Sequence, residues 1–193
     1  MLNSYFDVNK TEAGCDEVGR GCLAGPVVAA AVILPKYFKH DVLTDSKKLH
    51  FSERELLKIE IENVALDYAI GETSAQEIDE MNILNASFLA MHRAIDKLKI
   101  KPELLLIDGN RYISHNSIPY QCIVKGDLKF FSIAAASIIA KTYRDQLMRE
   151  LGKEYPHYGW ETNVGYPTTP HRQGIRKQGI TPHHRKTFQL LPK

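Results

Sequence analysis

Apolar runs interrupted by acids organise this chain. From residue 12 to 18, small and apolar side chains run into two adjacent acids, Asp16 and Glu17, and the stretch reads as a short strand ending in charge. Gly19 to Pro26 is a turn region with three glycines and a proline. Val27 to Leu34 is continuously apolar, rich in β-branched residues and ended by Pro35, the pattern of a strand covered on both faces. Strand, glycine turn and strand predict an antiparallel hairpin. Leu43 to Leu49 is a polar loop. Ser52, with Glu55 three residues on, reads as a capping box opening a helix over 53–63. Residues 64–72 form a third expected strand. Ser74 and Glu77 repeat the capping pattern, and apolar residues at 83, 84, 88, 91, 95 and 98 continue at helical spacing. Leu104 to Ile107 is a buried strand that stops at Asp108-Gly109-Asn110. A fifth strand is expected over 119–124, followed by Lys125-Gly126-Asp127. A long helix over 129–152 begins apolar nearly all round and turns charged after Lys141. The remainder, 155–193, is rich in Gly, Pro, His and Tyr and is expected to carry one short helix near 168–178.

Three strands in succession, then helix, strand, strand and helix, predict a mixed α/β sheet. The helical crossover before residue 104 lets the fourth strand lie parallel to the first. Asp16 and Asp108 then sit at the same end of neighbouring strands. Strands are spaced about 4.8 Å apart, so the two carboxylates can share a cation.

The 193 residues suit one domain, with 155–193 as a C-terminal extension. Charge is unevenly spread. Residues 1–124 hold 13 Lys+Arg and 18 Asp+Glu, a net of −5; residues 125–193 hold 12 and 5, a net of +7. A basic final third fits a polyanionic partner, and also an ordinary solvated surface. The three cysteines, Cys15, Cys22 and Cys122, form no CxxC or disulfide-like framework, which favours a reducing compartment. Apolar neighbours make Cys15 and Cys22 small core residues rather than ligands. Met1 to Lys10 lacks the features of a signal peptide, and the longest apolar run, Phe130 to Ala140, is too short to span a bilayer. A soluble, cytoplasmic protein without membrane contact is expected.

The acids carry the chemistry. Carboxylates placed where a core strand should be apolar cost free energy unless something cationic satisfies them. Asp127, after a glycine and before a helix, is the natural third member beside Asp16 and Asp108. An acid set with few His or Cys ligands is a hard-oxygen site suited to Mg²⁺ or Mn²⁺ rather than zinc. Singly, Asp108 can also start a turn and Asp127 can cap a helix. Asp45 reads as a turn or cap residue, and Asp145 as a partner of Arg149 at i+4 or of the neighbours of Arg144. The histidines at 157, 171, 183 and 184 lack metal-ligand spacing and read as surface or phosphate-contacting groups.

The motifs are specific when taken together. Gly14-Cys15-Asp16-Glu17-Val18-Gly19-Arg20-Gly21, Leu23-Ala24-Gly25-Pro26, Asp45-Ser46-Lys47-Lys48-Leu49, Ile107-Asp108-Gly109-Asn110, Lys125-Gly126-Asp127, the run Ser132 to Lys141 with Arg144-Asp145, Gly165-Tyr166 with Thr168 and His171, and His184-Arg185 run through residues 12 to 188. In these the chain resembles type 2 ribonuclease H, the ribonuclease HII family. The resemblance implies a ribonuclease H-like fold, with a five-stranded mixed sheet in order 3-2-1-4-5 flanked by helices and a small C-terminal helical part. It implies Asp16, Glu17, Asp108 and Asp127 as the catalytic set holding two divalent ions, Mn²⁺ or Mg²⁺, with Asp16 bridging. The implied reaction is endonucleolytic hydrolysis of RNA in RNA–DNA hybrids, including cleavage 5′ of a single ribonucleotide in duplex DNA, leaving 3′-hydroxyl and 5′-phosphate ends.

The turn Gly19-Arg20-Gly21 suits such a task, because glycines let the backbone approach a 2′-hydroxyl and Arg20 can add a phosphate contact. By resemblance Tyr166 stacks on the sugar 3′ of the ribonucleotide, and Lys47, Lys141 and Arg144 contact backbone phosphates. Gln189-Leu190-Leu191 is faintly similar to sliding-clamp peptides, although terminal aliphatics also pack back on a fold. A monomer is expected. The competing readings are a ribonuclease HIII-like enzyme, which carries an extra N-terminal domain, and a catalytically silent nucleic-acid-binding module of the same fold.

Overall fold

The computed structural model describes residues 2–43 and 49–192. Five strands, β1 (Glu12–Val18), β2 (Val27–Ile33), β3 (Asp67–Thr73), β4 (Leu104–Asp108) and β5 (Tyr120–Ile123), form one sheet in the order 3-2-1-4-5. β1 runs antiparallel to β2, with Asp16 opposite Ala30, and parallel to β4, with Cys15 opposite Ile107. This is the expected topology.

The alternation of strand side chains divides the core in two. Ala13, Cys15, Ala29, Ala31, Leu105 and Ile107 face α3 (Ile83–Asp96). Val28, Ala30 and Val32 face α1 (Phe51–Val64) and α4 (Phe131–Glu154). Gly14 belongs to the second face, and its backbone lies directly against α4. A Cβ there would stand 2.2 Å from the Ser132 carbonyl carbon. The small residues Ser132 and Ala134–Ala136 give α4 the same close approach from its own side. Cys15 and Cys22 are buried, as expected of small core residues.

Several boundaries differ from the sequence reading. The first helix begins at Phe51, because His50 and Glu53, rather than Ser52 and Glu55, form the capping box. That helix continues to Val64, so β3 starts at Asp67. Ser74 and Glu77 do form the expected box, at the start of α2 (Ala75–Met81). Asp145 pairs with Lys141 and Arg54 instead of Arg149, whose guanidinium lies 3.8 Å over the Phe51 ring.

The C-terminal part holds two helices, α5 (Trp160–Asn163) and α6 (Thr169–Gln178), where one was expected. They pack with Leu23, Ala24 and Met148 around Trp160. Leu190 and Leu191 pack back against the same cluster, and Arg172 donates to the Gln189 and Leu190 carbonyls. Among the described residues no helix is long and apolar enough to cross a membrane.

Candidate metal centre and substrate cleft

The parallel register of β1 and β4 places Asp16 beside Asp108, one step beyond the Cys15–Ile107 pair. Both side chains fall on the α4 face of the sheet, by alternation from Gly14 and Leu106. The Glu17 N–H donates to Asp16 Oδ1 at 2.7 Å, and the Gly126 N–H donates to Asp108 Oδ1 at 2.7 Å. The second bond ties the 3₁₀ turn Gly126–Leu128, and with it Asp127, to the end of β4. Asp16 and Asp127 are both buried. Two neighbouring strands thus deliver carboxylates to one corner of the sheet, and the turn that carries Asp127 is tied to the same strand end.

Burial drives the Asp16 carboxyl well above its ordinary pKa, and the charges of Glu17 and Asp108 add to the rise. Glu17 is raised for the same first reason, with Asp108 adding and Arg20 opposing. Arg20 donates to Glu17 Oε1 at 3.1 Å. Mutually repelling, desolvated carboxylates with oxygen donors only are a donor set suited to a hard divalent cation. Among the described residues, no three acidic, histidine or cysteine side chains already stand in ligating geometry around one point. The acids share a corner without forming a finished coordination shell.

Beside them opens a cleft of about 400 Å³, lined by Glu17, Arg20, Phe88, Met91, Asp108 and Arg111 among others. Arg111 and the apolar floor from α3 were not singled out in the sequence. Phe88 and Met91 sit there at ordinary core spacing, and Arg111 follows a turn without any motif of its own.

The turn Gly19-Arg20-Gly21 reaches this cleft through Arg20. Gly19 has φ +92, and a Cβ on it would meet Arg144 Nε at 2.2 Å. A Cβ on Gly21 would meet nothing within 4 Å, which leaves that backbone open to a ligand. The carbonyls of this segment are turned inward onto two buried guanidiniums. Arg144 donates to Pro26, Ala24 and Val164 carbonyls at 2.8–3.0 Å. Arg185 donates to the carbonyls of Gly25 and Arg20 at 2.9–3.1 Å. Burial pushes Arg185 down to about 10. The phosphate contact expected of Arg144 is therefore corrected. It is fully buried and donates to three backbone carbonyls, two of them in the loop after β1. Its neighbour in this role, Arg185, went unassigned in the sequence.

The remaining expected contacts divide. Tyr166 is 38% exposed, with the Lys141 ammonium 5.9 Å from its ring centroid. Lys141 itself donates to Asp145 Oδ1 at 2.6 Å. Lys47 and Asp45 lie outside the described residues. The surface reading holds for His157 alone among the four histidines. His183 is half-buried, and His171 and His184 are buried beside Trp160, within hydrogen-bond distance of each other at 3.2 Å.

Known proteins share this sequence and fold. The family model described as Ribonuclease HII matches residues 13–191. A ribonuclease HII of Parabacteroides distasonis is 60% identical over 192 residues, covering 100% of this chain and 96% of its own. The crystal structure of ribonuclease H2 from Pyrococcus horikoshii superposes with a TM-score of 0.78 at 27% identity, covering 93% of this chain and 94% of that one. The structure of a PCNA:RNase HII complex from Archaeoglobus fulgidus gives a TM-score of 0.76 at 28% identity, covering 95% and 97%. The chain belongs to the ribonuclease HII family, whose members are divalent-metal-dependent endonucleases of the ribonuclease H type.

Proposed function

We propose that this protein hydrolyses the RNA strand of RNA–DNA hybrids and cuts 5′ of single ribonucleotides embedded in duplex DNA, leaving 3′-hydroxyl and 5′-phosphate ends. The observation that carries the reading is the β1–β4 register, which sets Asp16 beside Asp108 one step beyond the Cys15–Ile107 pair, with Glu17, Asp108 and Arg20 lining the adjoining cleft. Asp16, Glu17, Asp108 and Asp127 would hold two divalent cations, Mn²⁺ or Mg²⁺. Bound there, such ions supply an activated water and stabilise the leaving oxygen. The chain's own residues do the rest. The open backbone around Gly21 meets the 2′-hydroxyl, which distinguishes RNA from DNA. Arg20 and Lys141 neutralise phosphates and fix register without reading sequence. Tyr166 packs on the sugar that follows the ribonucleotide, and 155–193 is the substrate-binding extension that presents it.

Three free cysteines suit a reducing, cytoplasmic setting. By analogy with the Archaeoglobus complex, a sliding-clamp contact at Gln189–Leu191 would have to displace two packed leucines, so it is expected to be weak.

The test is product mapping on a duplex carrying one ribonucleotide, with and without Mn²⁺. Mn²⁺-dependent nicking on the 5′ side of the ribonucleotide is expected. Binding with no nicking under any divalent cation would favour the silent module instead.

A further inference from the structure

Behind Tyr166 lies a buried chain of hydrogen bonds whose directions are fixed by its two ends. The Thr181 N–H donates to His184 Nδ1 at 2.9 Å, so that nitrogen is an acceptor and the proton of His184 sits on Nε2. His184 Nε2 stands 3.2 Å from His171 Nε2. The Trp160 indole N–H also donates to His171 Nε2, at 3.0 Å. His171 Nε2 is therefore unprotonated, its one lone pair shared between the two N–H groups, and the proton of His171 sits on Nδ1. That N–H points at the Tyr166 carbonyl, 2.9 Å away. Both rings and the indole are at most 1% exposed. Every ring nitrogen is used, and each histidine has one tautomer consistent with its partners.

The relay ends on a residue that is otherwise outward-facing. The Tyr166 carbonyl accepts from His171 and from the Thr168 N–H at 2.8 Å, while its own N–H donates to the Asn163 carbonyl at 2.9 Å. The backbone of Tyr166 is thus held on both sides from within, while its ring is part-exposed beside Lys141 with its hydroxyl against the Cys22 thiol. A pocket or clamp residue works at its best when its rotamer and backbone are fixed by groups behind it.

We propose that His171 and His184 are positioning residues: a buried, tautomer-locked pair that fixes the Tyr166 backbone, and through it the pose of the ring against the nucleotide. The proposal rests on the reading that Tyr166 packs on the sugar beside the ribonucleotide. It adds no group that touches substrate.

A double-mutant cycle tests it, using the full-length protein and two substrates, a one-ribonucleotide duplex and a long RNA–DNA hybrid. His171→Ala is expected to raise KM on the one-ribonucleotide duplex by roughly tenfold with a smaller change on the long hybrid. His171→Asn, whose amide N–H can still donate to the Tyr166 carbonyl, is expected to recover most of that loss. In a Tyr166→Ala background, His171→Ala is expected to cost nothing further. Equal, additive losses in both backgrounds and on both substrates would overturn the proposal, because a residue that only supports the fold has no reason to act through Tyr166. Indistinguishable incision of the one-ribonucleotide duplex by wild type and Tyr166→Ala would remove the Tyr166 reading first, and the positioning role with it. Should His171→Ala fail to fold, the wild-type His171 Nδ1–H resonance is followed by NMR while one-ribonucleotide duplex is added in EDTA. A shift at saturation is expected, and an unmoved resonance overturns the proposal.

Discussion

Asp16 sits at the C-terminal end of β1 with burial and two like-charged neighbours holding its carboxyl protonated well above the ordinary range. A cation relieves that strain, and so does removal of the charge. Asp16→Asn is therefore expected to lower incision by roughly a thousandfold or more, a loss of ~4 kcal/mol of transition-state stabilisation. The melting temperature of the metal-free protein should stay level or rise. Full activity in this variant would show that the essential ligand lies elsewhere. Tyr166→Ala carries the complementary expectation. Incision of a one-ribonucleotide duplex should fall more than hydrolysis of a long hybrid, and an equal fall on both would remove the sugar-packing role. At this scale the sequence was legible wherever an acid interrupted an apolar strand, as at Asp16. It was not legible at Arg144 and Arg185, because a buried guanidinium and a phosphate-facing one are the same letter. Only the carbonyls of Ala24, Gly25 and Pro26, folded over them, reveal the difference.

Elements position these residues through close contacts that tolerate little change. β1 and α4 meet at Gly14, and Gly14→Ala would drive a methyl into the Ser132 backbone. Overpacking of that kind typically costs ~1–3 kcal/mol and more where backbone is struck, so denaturant midpoints should fall by at least that much. A midpoint equal to wild type would mean that α4 can step away from the sheet. The pair of C-terminal helices has a pH signature. Burial, with His171 and His183 adding, pushes His184 down to about 4, and burial lowers His171 as well. The unfolded chain binds protons on these rings from about pH 6.5, while the folded one resists. Their contribution to stability is complete above pH 6.5 and is lost as pH falls toward 4. Trp160 is the single tryptophan and touches both rings, so its fluorescence during denaturant unfolding at stepped pH reports this region. Stability independent of pH between 6.5 and 4 in this probe would contradict the assignment of neutral rings. Helical spacing made α3 readable from its apolar positions. α5 was not readable, since its four residues are too few to show a period and it is held by Trp160 packing instead.

At the level of the molecule, a crossover after β3 brings β4 parallel to β1, and that single topological fact makes an acidic corner out of residues about ninety positions apart. This much could be drawn from strand order alone, because parallel neighbours present their C-terminal ends together. The tie from Gly126 to Asp108, which holds the turn carrying Asp127 at the end of β4, depends on tertiary packing that no local pattern encodes. The C-terminal third carries a net positive charge, a balance suited to a polyanion. Duplex binding in EDTA should accordingly weaken steeply as salt rises. The central claim is that the four acids act together as one cation site. Calorimetric titration of Mn²⁺ into the wild-type protein and into Asp16→Asn, Glu17→Gln, Asp108→Asn and Asp127→Asn tests it most directly. Saturable binding by the wild type, weakened at least about tenfold in every one of the four variants, is the predicted result; Mn²⁺ affinity unchanged across all four would contradict it.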